Sequence, residues 1–204
     1  MRFVTFCGLA ALAIGSIGGC GEMSDGTPDE SVTEKTAALT TGVFTLHNFQ
    51  TDYCLGVRAG TPTQGNNFVV WACDQSANQN FQQRALSFVP TPYVELVNFV
   101  GADRCLQLNT GPRGSPVYGS NGSPLVINLC YSSDDGIDAK YDEWKPISVG
   151  NDFRNHECYN FESESSPGRV IGVSGGKTDE GTSVILWDNF HDQFHHPDQI
   201  WCVY

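Results

Sequence analysis

The chain has 204 residues, 40% of them hydrophobic, and a formal net charge of −12 at pH 7. That length fits one domain with a tail, and the apolar fraction is enough for a core. An acidic surface repels phosphate backbones and anionic headgroups, so nucleic acid is not expected as a partner, nor is docking on anionic lipid.

The first element reads as a targeting segment. Arg2 precedes a mostly apolar run over residues 4–17, too short for a typical membrane-spanning helix. The run ends in Ile17-Gly18-Gly19-Cys20, which resembles a bacterial lipobox. The small residues let an extended backbone enter a signal peptidase, and the thiol accepts the lipid. On this reading residues 1–19 are a lipoprotein signal peptide, and the chain is exported and anchored through Cys20. If the chain is not lipidated, it is extracellular or periplasmic. Residues 20–41 are rich in Glu, Asp, Ser, Thr and Gly, with no apolar period, and are expected to form a disordered tether.

From residue 42 to 204 one unit recurs three times, over about 42–85, 86–148 and 149–204. Its first strand is Leu46-His47-Asn48-Phe49, answered by Leu96-Val97-Asn98-Phe99 and Cys158-Tyr159-Asn160-Phe161. The second is Cys54-Leu55-Gly56-Val57, answered by Cys105-Leu106-Gln107-Leu108 and Val170-Ile171-Gly172-Val173. The third is an apolar strand led by a glycine, with Gly65, Gly122 and Gly181 each six positions before Trp71, Asn128 and Trp187. The fourth follows Gln79-Asn80-Phe81, Asp142-Glu143-Trp144 and Gln199-Ile200-Trp201. Twelve short strands in three units describe an all-β fold, a pseudo-threefold β-trefoil. One unit cannot bury its apolar face alone, whereas three closed around an axis can. The middle unit carries longer loops around residues 111–121 and 132–136, which cost little closure entropy.

Setting Cys20 aside, the cysteines of the repeated domain pair by repeat position. Cys54 and Cys73 match Cys105 and Cys130, and unit three lacks both, leaving Cys158 with Cys202. Three disulfides are the expectation for an exported chain. Zinc held by cysteine is disfavoured, because no CxxC spacing is present, and no cofactor is implied.

These motifs resemble the ricin-type β-trefoil, the R-type lectin family: Cys54-Leu55-Gly56-Val57, Val69-Val70-Trp71-Ala72-Cys73, Asn78-Gln79-Asn80-Phe81 and Gln199-Ile200-Trp201. The resemblance covers about residues 42–204. It implies a shallow sugar pocket in each unit: a ring stacks on the apolar face of the pyranose, a second-strand Asp accepts from hydroxyls, and an Asn before the Gln-x-Trp assists. Unit one keeps Trp71, Asn78 and Gln79, but Gly56 stands at the Asp position. Unit three keeps Trp187 and Gln199, with Asp198 for the Asn and Gly172 for the Asp. Unit two has Gln107, Asn128, Tyr141 and Asp142 at these positions and reads as dead. Asp74 in unit one, with Asp188 and Asp198 in unit three, are candidates to replace the lost acids.

Carbohydrate binding through units one and three is therefore the leading expectation. The other reading is a non-catalytic protein-interaction trefoil, such as a subunit of a toxin-like or surface assembly resembling the cytolethal distending toxins. The missing second-strand Asp favours that reading, and the retained tryptophans favour the lectin. His191 and His195, four apart beside His196, have metal-like spacing but sit in a loop with Pro197, so no metal is expected. Glu162-Ser163-Glu164 reads as a solvated turn. No catalytic motif accompanies it, and the chain is not expected to be an enzyme.

Overall fold

Short apolar runs punctuated by turn residues become twelve β-strands, with no α-helix among the described residues. The structure, a computed structural model, describes residues 39, 42–86, 91–109, 119–130, 140–190 and 196–204. Unit one contributes β1 (Val43–Asn48), β2 (Cys54–Val57), β3 (Asn66–Trp71) and β4 (Asn80–Ala85). Unit two contributes β5 (Val94–Asn98), β6 (Arg104–Leu108), β7 (Leu125–Leu129) and β8 (Glu143–Asn151). Unit three contributes β9 (Glu157–Ser163), β10 (Arg169–Val173), β11 (Val184–Asp188) and β12 (Trp201–Val203).

The first and last strands of each unit close a six-stranded antiparallel barrel. β1 pairs with β4, β4 with β5, β5 with β8, β8 with β9, β9 with β12, and β12 returns to β1. Closure leaves these strands no free edge. The second and third strands form the hairpins β2–β3, β6–β7 and β10–β11. Asn66 pairs with Ile127, and single bridges join Val69 to Ser183 and Pro124 to Ile185, so each hairpin touches the other two. This is the pseudo-threefold β-trefoil.

Each barrel strand contributes a fully buried apolar side chain: Leu46, Phe81, Leu96, Trp144, Phe161 and Trp201. The two tryptophans carry a polar N–H that burial would strand. Trp144 Nε1 donates to the Leu106 carbonyl and Trp201 Nε1 to the Ile171 carbonyl, both at 3.0 Å and at matching positions of the second strand. Phe81, the third member, has no such donor and needs no such acceptor. The unit-leading Asn residues are also buried. Asn48 Nδ2 donates to the Asp198 and Ile200 carbonyls, and Asn98 Nδ2 to those of Asn78 and Asn80. Each thereby ties its unit to the turn that ends the preceding one.

Among the described residues three disulfides are present: Cys54–Cys73, Cys105–Cys130 and Cys158–Cys202. The first two staple the second strand of a unit to the loop after its third strand, and the last joins the paired strands β9 and β12.

Two boundaries differ from the sequence reading. β8 runs to Asn151, past the expected unit boundary at 148, because its pairing with β9 continues through a bulge between Ser148 and Gly150. Leu39, placed in the tether by composition, is only 3% exposed and packs in the main apolar cluster. One Leu in a polar run has no periodicity to announce it, yet its side chain finds the core.

Candidate functional site

Two clefts occupy equivalent places in units one and three. Each lies between the turn after the second strand and the short 3-10 turn before the fourth. In unit one these turns are Arg58–Gly60 and Ala77–Gln79, and in unit three Ser174–Gly176 and Pro197–Gln199. The unit-one cleft, about 560 Å³, is walled by Trp71, Arg58, Asp74 and Asn78 with Gly56 and Gln79 at its floor. The unit-three cleft, about 590 Å³, is walled by Trp187, Phe190, His196 and Asp198 with Gln199 below and Gln50 contributed by unit one.

Trp71 and Trp187 stay 47% and 39% exposed, unlike the core tryptophans. A repeated contact between units positions them. Gly181 N donates to the Val70 carbonyl, and a Cβ on Gly181 would lie 3.1 Å from the Trp71 ring. Gly122 N likewise donates to the Leu186 carbonyl and sits under Trp187. In unit two the same contact is polar: Gly65 N donates to the Ile127 carbonyl at 2.9 Å and to Asn128 Oδ1 at 3.0 Å. Gly65, Gly122 and Gly181 have φ of +80, +87 and +79°, which a residue with a Cβ adopts only at a cost. The glycine six places before each ring position thus serves a neighbouring unit's ring, and Asn128 is committed to holding a turn.

Gln79 and Gln199 are almost fully buried, and their amides are occupied. Gln79 Nε2 donates to the Ala72 carbonyl while its Oε1 accepts from Asp74 N. Gln199 Nε2 donates to the equivalent carbonyl, that of Asp188. In unit two this carbonyl, on Leu129, is held by Gln107 Nε2 at 2.6 Å, reaching from the second strand. The exchange explains the missing acids. A Cβ on Gly56 would meet Gln79 Cγ at 3.0 Å, and one on Gly172 would meet Gln199 Cγ at 3.2 Å. Where Gln79 or Gln199 holds the loop from the 3-10 turn, the second strand carries glycine, and a side chain there would require the Gln to shift. Where the second strand carries Gln107, the smaller Asp142 takes the Gln position. Gln79 and Gln199, read from the sequence as sugar-binding, are thus the props of the clefts.

The remaining candidates divide. Asp74 lines the unit-one cleft, and hydrogen bonds from Ser76 hold its carboxyl below the usual range. Asn78 is oriented by Ser76 Oγ and by the Val57 carbonyl, 3.3 Å from its Nδ2. Asp198 faces the unit-three cleft, its carboxylate 3.7 Å from where a Cβ on Gly172 would be. Burial pushes its carboxyl above the usual range, against its own backbone N–H and the nearby His196. Asp188 does not line the cleft: its carboxylate meets Arg169 Nε at 3.2 Å and Asn121 Nδ2 at 2.7 Å. His191, His195 and Cys20 lie outside the described residues.

Among the described residues two groupings resemble metal sites and one resembles a catalytic acid pair. His47 lies with Cys54 and Cys73, and Glu95 with Cys105 and Asp142, but these cysteines are all bonded in disulfides. Glu164, read as part of a solvated turn, meets Lys140 Nζ at 2.7 Å and is hydrogen-bonded to Glu143. Burial, then Glu164, drives the Glu143 carboxyl well upward. Two carboxyls sharing a proton are closer than the separation of about 5 Å or more that glycosidases use.

No family model matches the chain, and no curated protein matches it. Solved structures do match in fold. The Rhizoctonia solani agglutinin is 16% identical, with a TM-score of 0.60 over 82% of this chain and 96% of that one. A ricin B-like lectin of Macrolepiota procera, solved with lactose, is 14% identical, with a TM-score of 0.55 over 82% and 97%. A designed threefold-symmetric protein, ThreeFoil, is 16% identical, with a TM-score of 0.60 over 79% and 96%. These matches show the β-trefoil fold.

Proposed function

We propose that this protein is a non-catalytic carbohydrate-binding module acting through the clefts of units one and three. The observation that carries this reading is a pair of exposed tryptophans, Trp71 and Trp187, at symmetry-equivalent walls of two clefts. A pyranose has one apolar C–H face and a rim of hydroxyls, so it needs one ring and a few fixed polar groups. Asn78 and Asp74 supply those groups in unit one, and Asp198 supplies them in unit three. The acceptor thus enters from the 3-10 turn or its loop, because the second strand offers only Gly56 and Gly172 at these positions. Fold neighbours named as an agglutinin and as a lectin solved with lactose support this class of ligand.

The test is a glycan array and calorimetry with the full chain, beside Trp71→Ala and Trp187→Ala. Each variant should stay folded and lose one class of binding site, and the double variant should lose binding altogether. Binding that survives in the double variant would sink the proposal. A second reading, a protein-binding trefoil, is favoured by the loss of the acid at Gly56 and Gly172. It predicts a silent array and a partner recovered by cross-linking at Trp71 or Trp187.

Ile17-Gly18-Gly19-Cys20 supports an exported, lipid-anchored location. Metabolic labelling with a fatty acid should mark the chain, and Cys20→Ser should abolish the label. An unlabelled wild-type chain would leave secretion without an anchor.

A further inference from the structure

The unit-three cleft differs from its unit-one counterpart in the sign of its recognition groups. Where unit one has Arg58 and Asn78, unit three has Ser174 and Asp198. Where unit one has Asp74 and Ser76, unit three has Phe190 and His196, whose rings stack with centroids 4.0 Å apart. The result is a half-exposed aromatic wall, Trp187 with Phe190, around a carboxylate. That carboxylate is half-buried, and no Lys or Arg among the described residues pairs with it. His196 is the titratable group beside it in the described part of the cleft, and Gln50 and Gln199 are neutral. Partly desolvating a carboxylate with no cationic partner carries a cost, which a ligand bringing the opposite charge would offset. Aromatic faces carry negative potential and attract the same kind of group.

Building on the carbohydrate-binding reading, we propose that the unit-three cleft selects an ammonium-bearing saccharide, a 2-amino-2-deoxy sugar with its amine free. The sugar C–H face lies on Trp187, the ammonium donates to Asp198, and Phe190 flanks the charge. An N-acetyl group removes the charge and offers an amide with a single donor in its place. Unit one, where Arg58 lines the cleft together with Asp74 and the Asn78 amide, has no such preference, and the two clefts divide their ligands by charge.

The test uses the full chain and two monosaccharides, glucosamine and N-acetylglucosamine, titrated by calorimetry. The expected result is a preference of about tenfold for the free amine, the size of one charge-assisted contact with its cation–π flank. Asp198→Asn should abolish that preference. The variant is structurally conservative, since unit one already carries Asn78 at this position. Trp187→Ala should abolish binding at the site. Lowering the pH through the titration of Asp198 should weaken glucosamine binding, as should raising it through loss of the amine proton. Equal or tighter binding of the acetylated sugar would overturn the proposal. So would a preference that survives Asp198→Asn, which would report only attraction to an acidic surface. If neutral glycans bind in a Trp187-dependent way and glucosamine does not, this inference fails and the carbohydrate-binding reading stands. If no sugar binds and the tryptophan substitutions change nothing, both fail.

Discussion

Trp71 and Trp144 are one residue type in opposite employment, and neighbours, not identity, decide between them. Trp144 is sealed in the barrel with its N–H satisfied, and Trp71 leans on a glycine with its face to solvent. The sequence separated these roles, because the buried tryptophans follow Gln or Asp by two places and the exposed ones follow an apolar run. The role of the glutamines was not legible. Gln79 and Gln107 hold equivalent carbonyls, one from a 3-10 turn and one from a strand, and no spacing rule announces such an exchange. It can be tested as a double-mutant cycle. Gly56→Gln should crowd Gln79, and Gln79→Asp should release the Ala72 carbonyl, each costing about 1–3 kcal/mol. The double variant recreates the unit-two arrangement, so its cost should fall below the sum by about 0.5–3 kcal/mol in urea unfolding. Strict additivity would refute the exchange.

At the scale of the element, the turn joining β8 to β9 carries the acid-sensitive part of the fold. Asp152 Oδ1 accepts from Arg154 N at 2.9 Å and His156 N at 2.8 Å, while Oδ2 accepts from Tyr204 Oη at 2.5 Å and lies 3.3 Å from His156 Nδ1. Burial alone would raise this carboxyl, but the hydrogen bonds together outweigh it and hold it at about 2. The folded value lies below the ordinary 3.8, so the carboxylate stabilises the fold above that pH. Its contribution is lost as the pH falls from there through about 2. Urea midpoints measured across this window should drop for the wild type and stay flatter for Asp152→Asn. The cluster also anchors the chain's last residue, because the Tyr204 ring is stacked between His47 and His156. Nothing in the order of these residues foretold it, since it joins β1, the β8–β9 turn and the end of β12.

The whole molecule was legible where the repeat was. Three copies of a four-strand pattern predicted barrel closure and matched cysteine positions, because a unit with one apolar face has few other ways to bury it. Leu39 escaped, being a single apolar residue outside the period. The clefts were legible as rings and turns, but their chemistry was not, since Asp188 and Asp198 look alike in the chain and point to different neighbours. The contact between Gly181 and Trp71 has a consequence for anyone mapping phenotype onto this chain. Gly181→Ala would place a methyl group 3.1 Å from the ring and strain a backbone at φ +79°. The expected phenotype is weaker binding at unit one, caused by a change more than half the chain away in sequence, with the ligand preference of unit three preserved. Inheritance of function here would follow a ring, each repeat shaping its neighbour's specificity, so that exchanging one repeat between two such proteins alters two binding sites at once.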